Sequence, residues 1–267
     1  MDGLMSETEI RMILDAYESS YLYLDEVPSL QERRKMFVTR RDRSVDAINA
    51  WFRDNARWDD MTKVYCRIAA NNRVTFEYPA QSMMMVGTHH IDAVSADRIL
   101  INLRRMQPDI LILDLRGASG DDPQAALSLV SALAEGELCT QRYRWHDRIT
   151  VSRRISVRPG MIFIFTDRDT KRCAAMAATS LYLSSGKVTV IGMPIEGEPV
   201  GRVIIGGMRS DPRLVFSMAA YRWSVQGRGP EVFDYPDPKR FIPCASDDTD
   251  ERMLMVYERA RAGGWDV

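Results

Sequence analysis

The sequence has 267 residues, of which 45% are hydrophobic and 27% charged, as in an ordinary soluble globular protein. This composition excludes a collagen-like chain, a coiled coil and wholesale disorder. The 36 basic and 37 acidic residues leave a net charge of −1, so nucleic acid and anionic membranes are not expected as partners. The N-terminus does not combine a basic start with an apolar stretch, which predicts a cytoplasmic protein.

The four cysteines, at positions 66, 139, 173 and 244, show neither a close pair nor the spacing of a metal site. A disulfide scaffold and a zinc ribbon are therefore not expected. His89, His90 and Asp92 are close in sequence, but adjacent strand residues point to opposite faces and cannot chelate one ion together. We expect no metal and no cofactor.

Residues 1–62 are predicted to form a small helical region. The apolar residues of the first helix recur at intervals of three and four, and Ser6 with Glu9 fits a capping box at its start. A second helix is expected from about Ser29 and a third from about Ser44 through Phe52.

Residues 63–267 are predicted to form the α/β core. Short β-type runs, "VTFEY" and "MMMVGTHHI", are followed by a helix over 96–106 and a buried strand over 109–115. A helix over 124–134, a strand over 161–165, a helix over 173–183 and a strand over 187–192 continue the alternation. A strand at "LVFSMAAYRW" and a closing helix over 248–262 complete the core. Strands that alternate with helices form βαβ units, so the sheet should be mainly parallel.

The order and sequence of these segments resemble the tail-specific, or C-terminal-processing, serine peptidases over about residues 84–262. "LDLRGASGD" at 113–121 matches a family turn of the type LDLRGNPGG, and "TDRDTKRCAAMAA" stands where the family has its nucleophilic serine at a helix start. "GMPIEGEPVG" corresponds to the family segment that carries a lysine, and "YRWSVQGRGPEV" to its closing loop. The resemblance implies a Clp/crotonase-like core that binds peptides. The upstream residues are too few and too helical for the PDZ module common in the family, so that module is expected to be absent.

The catalytic positions of the family are altered in this sequence. Counting back 25 residues from Glu198, which faces the family's lysine, gives Cys173, whereas counting forward from Asp167 gives Arg172. Neither is a serine, and no lysine lies near 198. The Ser/Lys dyad is therefore not retained, and it stays open whether Cys173 or Arg172 fills the nucleophile position.

Three residues are candidates for a replacement mechanism. Cys173 lies at a helix start beside Lys171 and Arg172, an arrangement that favours the thiolate, although a cysteine in "CAAMAA" also fits a small buried hydrophobe. Glu198 and His90 are candidate bases, although a solvated surface glutamate and a structural histidine are the favoured interpretations.

Backbone groups of the "RGASGD" turn are the candidate oxyanion donors, specifically the N–H groups of Gly120 and Asp121. The simpler interpretation is that the glycines allow a tight turn, and that Asp121, Asp122 and Pro123 form the N-cap and first turn of a helix.

The sequence thus predicts a degenerate peptidase whose cleft binds an extended peptide or a protein terminus. The alternative is an active hydrolase or acyl-transfer enzyme that uses Cys173 with a histidine or glutamate base. A structural subunit with no ligand in the cleft is the third possibility, and the oligomeric state is left open.

Overall fold

A computed structural model describes residues 4–26, 42–55, 62–66, 73–195, 200–228, 237 and 239–267. The chain divides into two compact units. The smaller comprises Met1–Ala69, Arg142–Asp147 and Val200–Arg222, and the larger comprises Ala70–Gln141, Arg148–Pro199 and Trp223–Val267. The helix expected from about Ser29 lies outside the described residues.

The helices are α1 (Glu7–Ser20), α2 (Val45–Asn55), α3 (Ala93–Met106), α4 (Pro123–Leu133), α5 (Arg172–Ser184) and α6 (Thr249–Ala262), with a 3-10 turn at Leu24–Glu26. The strands are β1 (Lys63–Cys66), β2 (Val74–Glu77), β3 (Met83–Thr88), β4 (His90–Ile91), β5 (Ile110–Asp114), β6 (Ser119–Gly120), β7 (Gly136–Tyr143), β8 (Asp147–Ser152), β9 (Met161–Thr166), β10 (Val188–Gly192), β11 (Val200–Ile205), β12 (Leu214–Ser224) and β13 (Phe241–Pro243). The predicted α/β class is confirmed, and the helices and strands predicted for the core occur in the predicted order, with further strands, among them β7, β8 and β11, between them.

The larger unit is built on a six-stranded sheet with the strand order β13-β10-β9-β5-β3-β2. Every neighbouring pair is parallel except β2 and β3, which are antiparallel. Strand β5 is buried from Ile110 to Leu113, because helices cover both faces of such a sheet. The mainly parallel sheet predicted from the βαβ pattern is confirmed.

One face of this sheet packs against α6. Alternate strand residues, among them Met83, Met85, Ile112 and Phe163, form a buried cluster with Met253, Val256 and Ala260 of that helix. The methionines at 83–85 are buried strand residues, as predicted. Residues of opposite parity, such as Leu111 and Ile164, are also buried, so the second face of the sheet is covered as well.

The smaller unit packs α1 and α2 against an antiparallel sheet in which β12 pairs with β1 and with β11. Its core is aromatic: the Tyr17 and Tyr21 rings stack at 4.5 Å, and the Phe52 and Phe216 rings stack at 5.1 Å. The capping box predicted for α1 is present. Among the described residues, no helix has both the length and the apolar character to cross a membrane.

Candidate functional site

Two strand-to-helix turns lie side by side at the carboxyl edge of the parallel sheet. One follows β5 and leads to α4, and the other follows β9 and leads to α5; β5 and β9 are neighbouring parallel strands. Several hydrogen bonds join the turns, among them Lys171 N–H to the Ala118 carbonyl at 2.9 Å, Gly117 N–H to Asp167 Oδ2 at 2.8 Å, and Thr170 Oγ1 to the Leu115 carbonyl at 2.9 Å. Open α/β sheets build their sites at this edge.

The turn after β5 depends on Gly120, whose φ is +152°. A Cβ at this position would lie 2.4 Å from the Ile91 carbonyl oxygen and 3.0 Å from Cys173 Cβ, so only glycine fits between β4 and α5. The N–H groups of Ala118 and Ser119 already donate to the Leu115 and His89 carbonyls. Gly120 and Asp121, the predicted oxyanion donors, follow these two groups directly.

The start of α5 departs from ordinary helix capping. Its N-cap residue, Lys171, makes no side-chain capping hydrogen bond, and the first helical residue, Arg172, has a φ of +53°. A non-glycine residue in this left-handed region is uncommon and marks local strain. The exposed Arg172 side chain reaches back to the first turn, where its Nη1 lies 3.3 Å from Asp121 Oδ1.

Cys173 follows Arg172 and is directed into the protein, with only 6% of its surface exposed. Its Cβ packs against Gly120, so the predicted nucleophile and the predicted oxyanion turn are adjacent. Cys139 and Cys244 are also buried, and burial, with a smaller contribution from Glu137, raises the pKa of Cys139 to about 12.

Of the two candidate bases, His90 lies in the part of the chain that the structure describes. Glu198 lies outside the described residues. His90 is half-buried and pairs with Ser119 in the short parallel ladder of β4 and β6. Its neighbour His89 is exposed, with Nδ1 4.0 Å from where a Cβ on Gly117 would be.

An open cleft of about 400 Å³ lies beside the two turns. The strand ends contribute Gly87, Thr88 and Asp114, and the turns contribute Gly117 and Asp167. The remaining lining residues are Arg73, Thr75, His89, Arg116 and Asp247. We refer to this site as the cleft; its lining residues carry both charge signs, and none of them is a hydrophobic residue.

The central side chain of the cleft is Arg116. Its guanidinium binds the Asp114 carboxylate through two nitrogens, donates to the Asp247 carbonyl at 2.6 Å, and donates to Thr249 Oγ1 at 2.8 Å. The hydrogen bonds that Arg116 donates to Asp114 raise the pKa of Arg116, so its guanidinium stays charged. Arg116 therefore connects the end of β5 to the segment that precedes α6.

Sequence reasoning did not assign a role to Arg116 or to Arg252. Arg252 is fully buried and donates to the carbonyls of Thr166 at 3.0 Å, Ile191 at 2.8 Å and Ser246 at 2.9 Å, while burial lowers its pKa. The "LDLRG" motif contained a signal for Arg116, because it places that residue at the end of a buried strand. Arg252 had no comparable signal, since a single arginine on an amphipathic helix is typical of an exposed surface.

Among the described residues, no group of three histidine, cysteine, aspartate or glutamate side chains could hold a metal ion. The site consists of backbone N–H groups of the two turns, the ion pair of Arg116 with Asp114, and exposed polar side chains around the cleft.

The fold is similar to that of a C-terminal processing protease, which confirms the resemblance at the level of the fold. A lipoprotein from Streptococcus agalactiae superimposes with a TM-score of 0.69 at 14% identity, covering 96% of this chain and 97% of that one. The photosystem II D1 C-terminal processing protease gives 0.57 at 11% identity, covering 84% and 90% of the two chains. A protein from Bacteroides fragilis assigned to the S41 proteases gives 0.53 at 16% identity, covering 73% and 58%. No protein-family profile and no curated protein sequence matches this chain.

Proposed function

We propose that this chain binds an extended peptide segment or a protein terminus in the cleft and does not hydrolyse it. We infer that the ligand is a peptide from the fold, because a solved structure with a similar fold is named as a C-terminal processing protease. The absence of hydrolysis is inferred from the start of α5.

The observation that carries this proposal is the placement of Arg172 and Cys173. Peptide hydrolysis requires a nucleophile that can reach the scissile carbonyl and a base that removes its proton. Arg172 has the strained backbone conformation and faces the first turn, but a guanidinium is not a nucleophile. Cys173 has the chemistry, but its side chain packs against Gly120 with 6% exposure.

The cleft offers an extended peptide several polar contacts. Exposed Arg73, His89 and Asp247 can bind peptide carbonyls, a terminal carboxylate or N–H groups. The two joined turns add backbone groups close to these side chains. Such contacts hold a peptide without bond cleavage, because oxyanion donors alone do not replace a nucleophile.

The test is to incubate the purified protein with fluorescein-labelled unstructured peptides and to measure binding by fluorescence anisotropy and cleavage by mass spectrometry. We expect binding without cleavage, under conditions where an active C-terminal-processing peptidase cleaves the same peptides. Arg73→Ala should weaken binding, whereas Arg98→Ala, which removes an exposed arginine on α3 away from the cleft, should not.

The alternative, an enzyme that uses Cys173 with His90 or Glu198, is supported by the contact between Cys173 and Gly120. It predicts that an electrophilic thiol probe labels Cys173 rapidly in the folded protein, whereas Cys139 reacts slowly because its thiol is protonated. It also predicts cleavage that is lost in Cys173→Ala and kept in Ser119→Ala. Robust cleavage that survives Cys173→Ala would contradict both the proposal and this alternative.

A further inference from the structure

A second concave site lies on the α6 side of the sheet, next to the cleft. It has a volume of about 520 Å³ and is formed between the β2 strand, the residues that follow it, and α6. Its floor and sides are apolar, from Tyr78, Met85, Met253, Leu254 and Tyr257, and Glu77 and Asp250 stand at its rim. We call this site the groove.

The groove and the cleft lie along the same strand face. In the β2–β3 ladder Glu77 is paired with Met85 and Thr75 with Gly87, and paired residues point to the same side of a sheet. Met85 packs with α6, so Glu77 and Thr75 both point to the α6 side. Thr75 lines the cleft and Glu77 lines the groove. Between them, Arg116 of the cleft donates to Thr249 of the groove, so the two sites are adjacent.

Strand β2 can itself receive an extended peptide. It is the last strand of the sheet order among the described strands, and it pairs with β3 on one side only. An exposed strand edge adds a peptide as a further strand, and every second side chain of that peptide then points to the α6 side. At a rise of about 3.3 Å per residue, one side chain can enter the groove while another reaches the cleft.

The side chains of the groove indicate which residue it accepts. Tyr78 and Leu254, which both line the groove, are 52% and 63% exposed, so their apolar surface is open to a ligand. Glu77 and Asp250 are exposed carboxylates, and no basic residue in the described part of the chain forms an ion pair with either side chain. An arginine or lysine fits both features, because its aliphatic stem packs on apolar surface while its cationic head remains at the acidic rim. Tyr78 adds an aromatic face for the cation.

We infer that the groove binds an arginine or lysine side chain of an extended peptide that pairs with the edge of β2. This inference rests on the proposed peptide-binding function and specifies the class of peptide. It assigns selectivity to the groove, while the polar contacts of the cleft hold the peptide backbone and its end.

The test compares three fluorescein-labelled peptides that differ at one central position, which holds arginine, its neutral isostere citrulline, or glutamate. Exposed charge pairs are individually weak, so arginine should bind about fivefold more tightly than citrulline at low salt, and glutamate should bind most weakly. Raising the salt concentration should reduce the preference for arginine.

Protein variants locate that preference. The double variant Glu77→Gln, Asp250→Asn should bind the arginine and citrulline peptides equally, because it removes both rim charges without changing shape. Glu258→Gln removes an exposed carboxylate from the same helix outside the groove and should keep the fivefold preference. Leu254→Ser should weaken the binding of the arginine and citrulline peptides to the same extent, because the aliphatic stems of both residues lose the same apolar contact.

The outcomes separate this inference from the function on which it rests. If all three peptides bind equally and the double variant changes nothing, the groove does not select a basic residue, although peptide binding stands. If no peptide binds, the proposed function is wrong and the inference is wrong with it. Sedimentation showing a dimer that dissociates in Leu254→Ser would mean that a second copy of the chain occupies the groove, which would also overturn the inference.

Discussion

The N-terminus of α1 and that of α5 are built in contrasting ways. At α1, Ser6 and Glu9 form a reciprocal capping box, in which Ser6 N–H donates to Glu9 Oε2 at 2.7 Å and Glu9 N–H donates to Ser6 Oγ at 3.3 Å. At α5, Lys171 provides no side-chain cap, and Arg172 has a positive φ. The start of α1 therefore follows the capping rules that stabilise a helix, whereas the start of α5 does not.

This difference indicates where the fold tolerates strain. The start of α1 belongs to the hydrophobic core of the smaller unit, where Glu9 Oε1 also accepts the Ser210 N–H at 2.7 Å. The start of α5 lies beside the turn that carries Gly120 and Asp121, at the edge of the sheet where ligands bind in such folds. Violations of local rules are expected at functional sites and are offset by the surrounding structure.

The largest expected effect is at Gly120, on which the first turn of α5 packs. Gly120→Ala places a Cβ 2.4 Å from the Ile91 carbonyl oxygen at a φ of +152°, so the free energy of unfolding should fall by about 3 kcal/mol. Urea unfolding followed by circular dichroism measures this change. Gly186→Ala, where the added Cβ meets nothing within 4 Å, should change stability by less than about 0.5 kcal/mol. Equal stability of the two variants would show that the α5 start does not depend on this contact.

An intermediate effect is expected at the capped start of α1. Burial raises the pKa of Glu9, but hydrogen bonds from Ser210 and Ser6 more than offset this and lower it from 4.5 to about 2. The charged Glu9 therefore stabilises the folded protein above about pH 4.5, and this contribution is lost as the pH falls towards 2. Glu9→Gln should lower the free energy of unfolding by roughly 2 kcal/mol at pH 7.

The pH dependence provides the check on Glu9. Unfolding curves of the wild type and Glu9→Gln should differ most near neutral pH and should converge as the pH approaches 2. Asp46→Asn removes an exposed carboxylate from α2 of the same unit and should leave the profile close to that of the wild type. A Glu9→Gln variant with the same loss of stability at every pH would contradict the role of the charge.

The smallest effect is expected at Arg172, where it tests strain directly. Arg172→Gly relieves a positive φ at a cost of the exposed contact with Asp121, and stability should rise by about 0.5 kcal/mol. Arg172→Ala removes the same contact with Asp121 but keeps a side chain at the positive φ, so it should instead lower stability slightly. Thermal unfolding of the two variants measures the opposite signs. A loss of stability in both would mean that the start of α5 is not strained.

The sequence predicted much of this arrangement because the signals were local. The buried run at 109–115 predicted β5, and the order of strands and helices predicted that the two turns share one edge of a parallel sheet. Asp122 and Pro123 were expected to cap and open a helix, and they are the N-cap and first residue of α4. These features depend on neighbouring residues, which is why a single sequence contains them.

The contacts that shape the cleft could not be predicted in the same way. Arg116 binds Asp247 across 131 positions, and Arg252 binds Thr166 across 86. Neither pairing leaves a periodic pattern in the sequence. Strands β7 and β8 were not predicted, because their exposed and buried residues do not alternate clearly. Because adjacent strand residues point to opposite faces, only one of His89 and His90 was expected to face a given site. His89 is the one that lines the cleft.

The bonds of Arg116 have a consequence for the thermodynamics of binding. The Arg116 side chain donates two hydrogen bonds to Asp114 and also binds the backbone carbonyl of Asp247 and the hydroxyl of Thr249. Both sides of the cleft are therefore preorganised before any ligand binds. A preorganised site loses little conformational entropy on association. The entropic cost of binding should therefore come mainly from the peptide, and a peptide already constrained in an extended conformation should bind more tightly than its flexible counterpart with the same contacts.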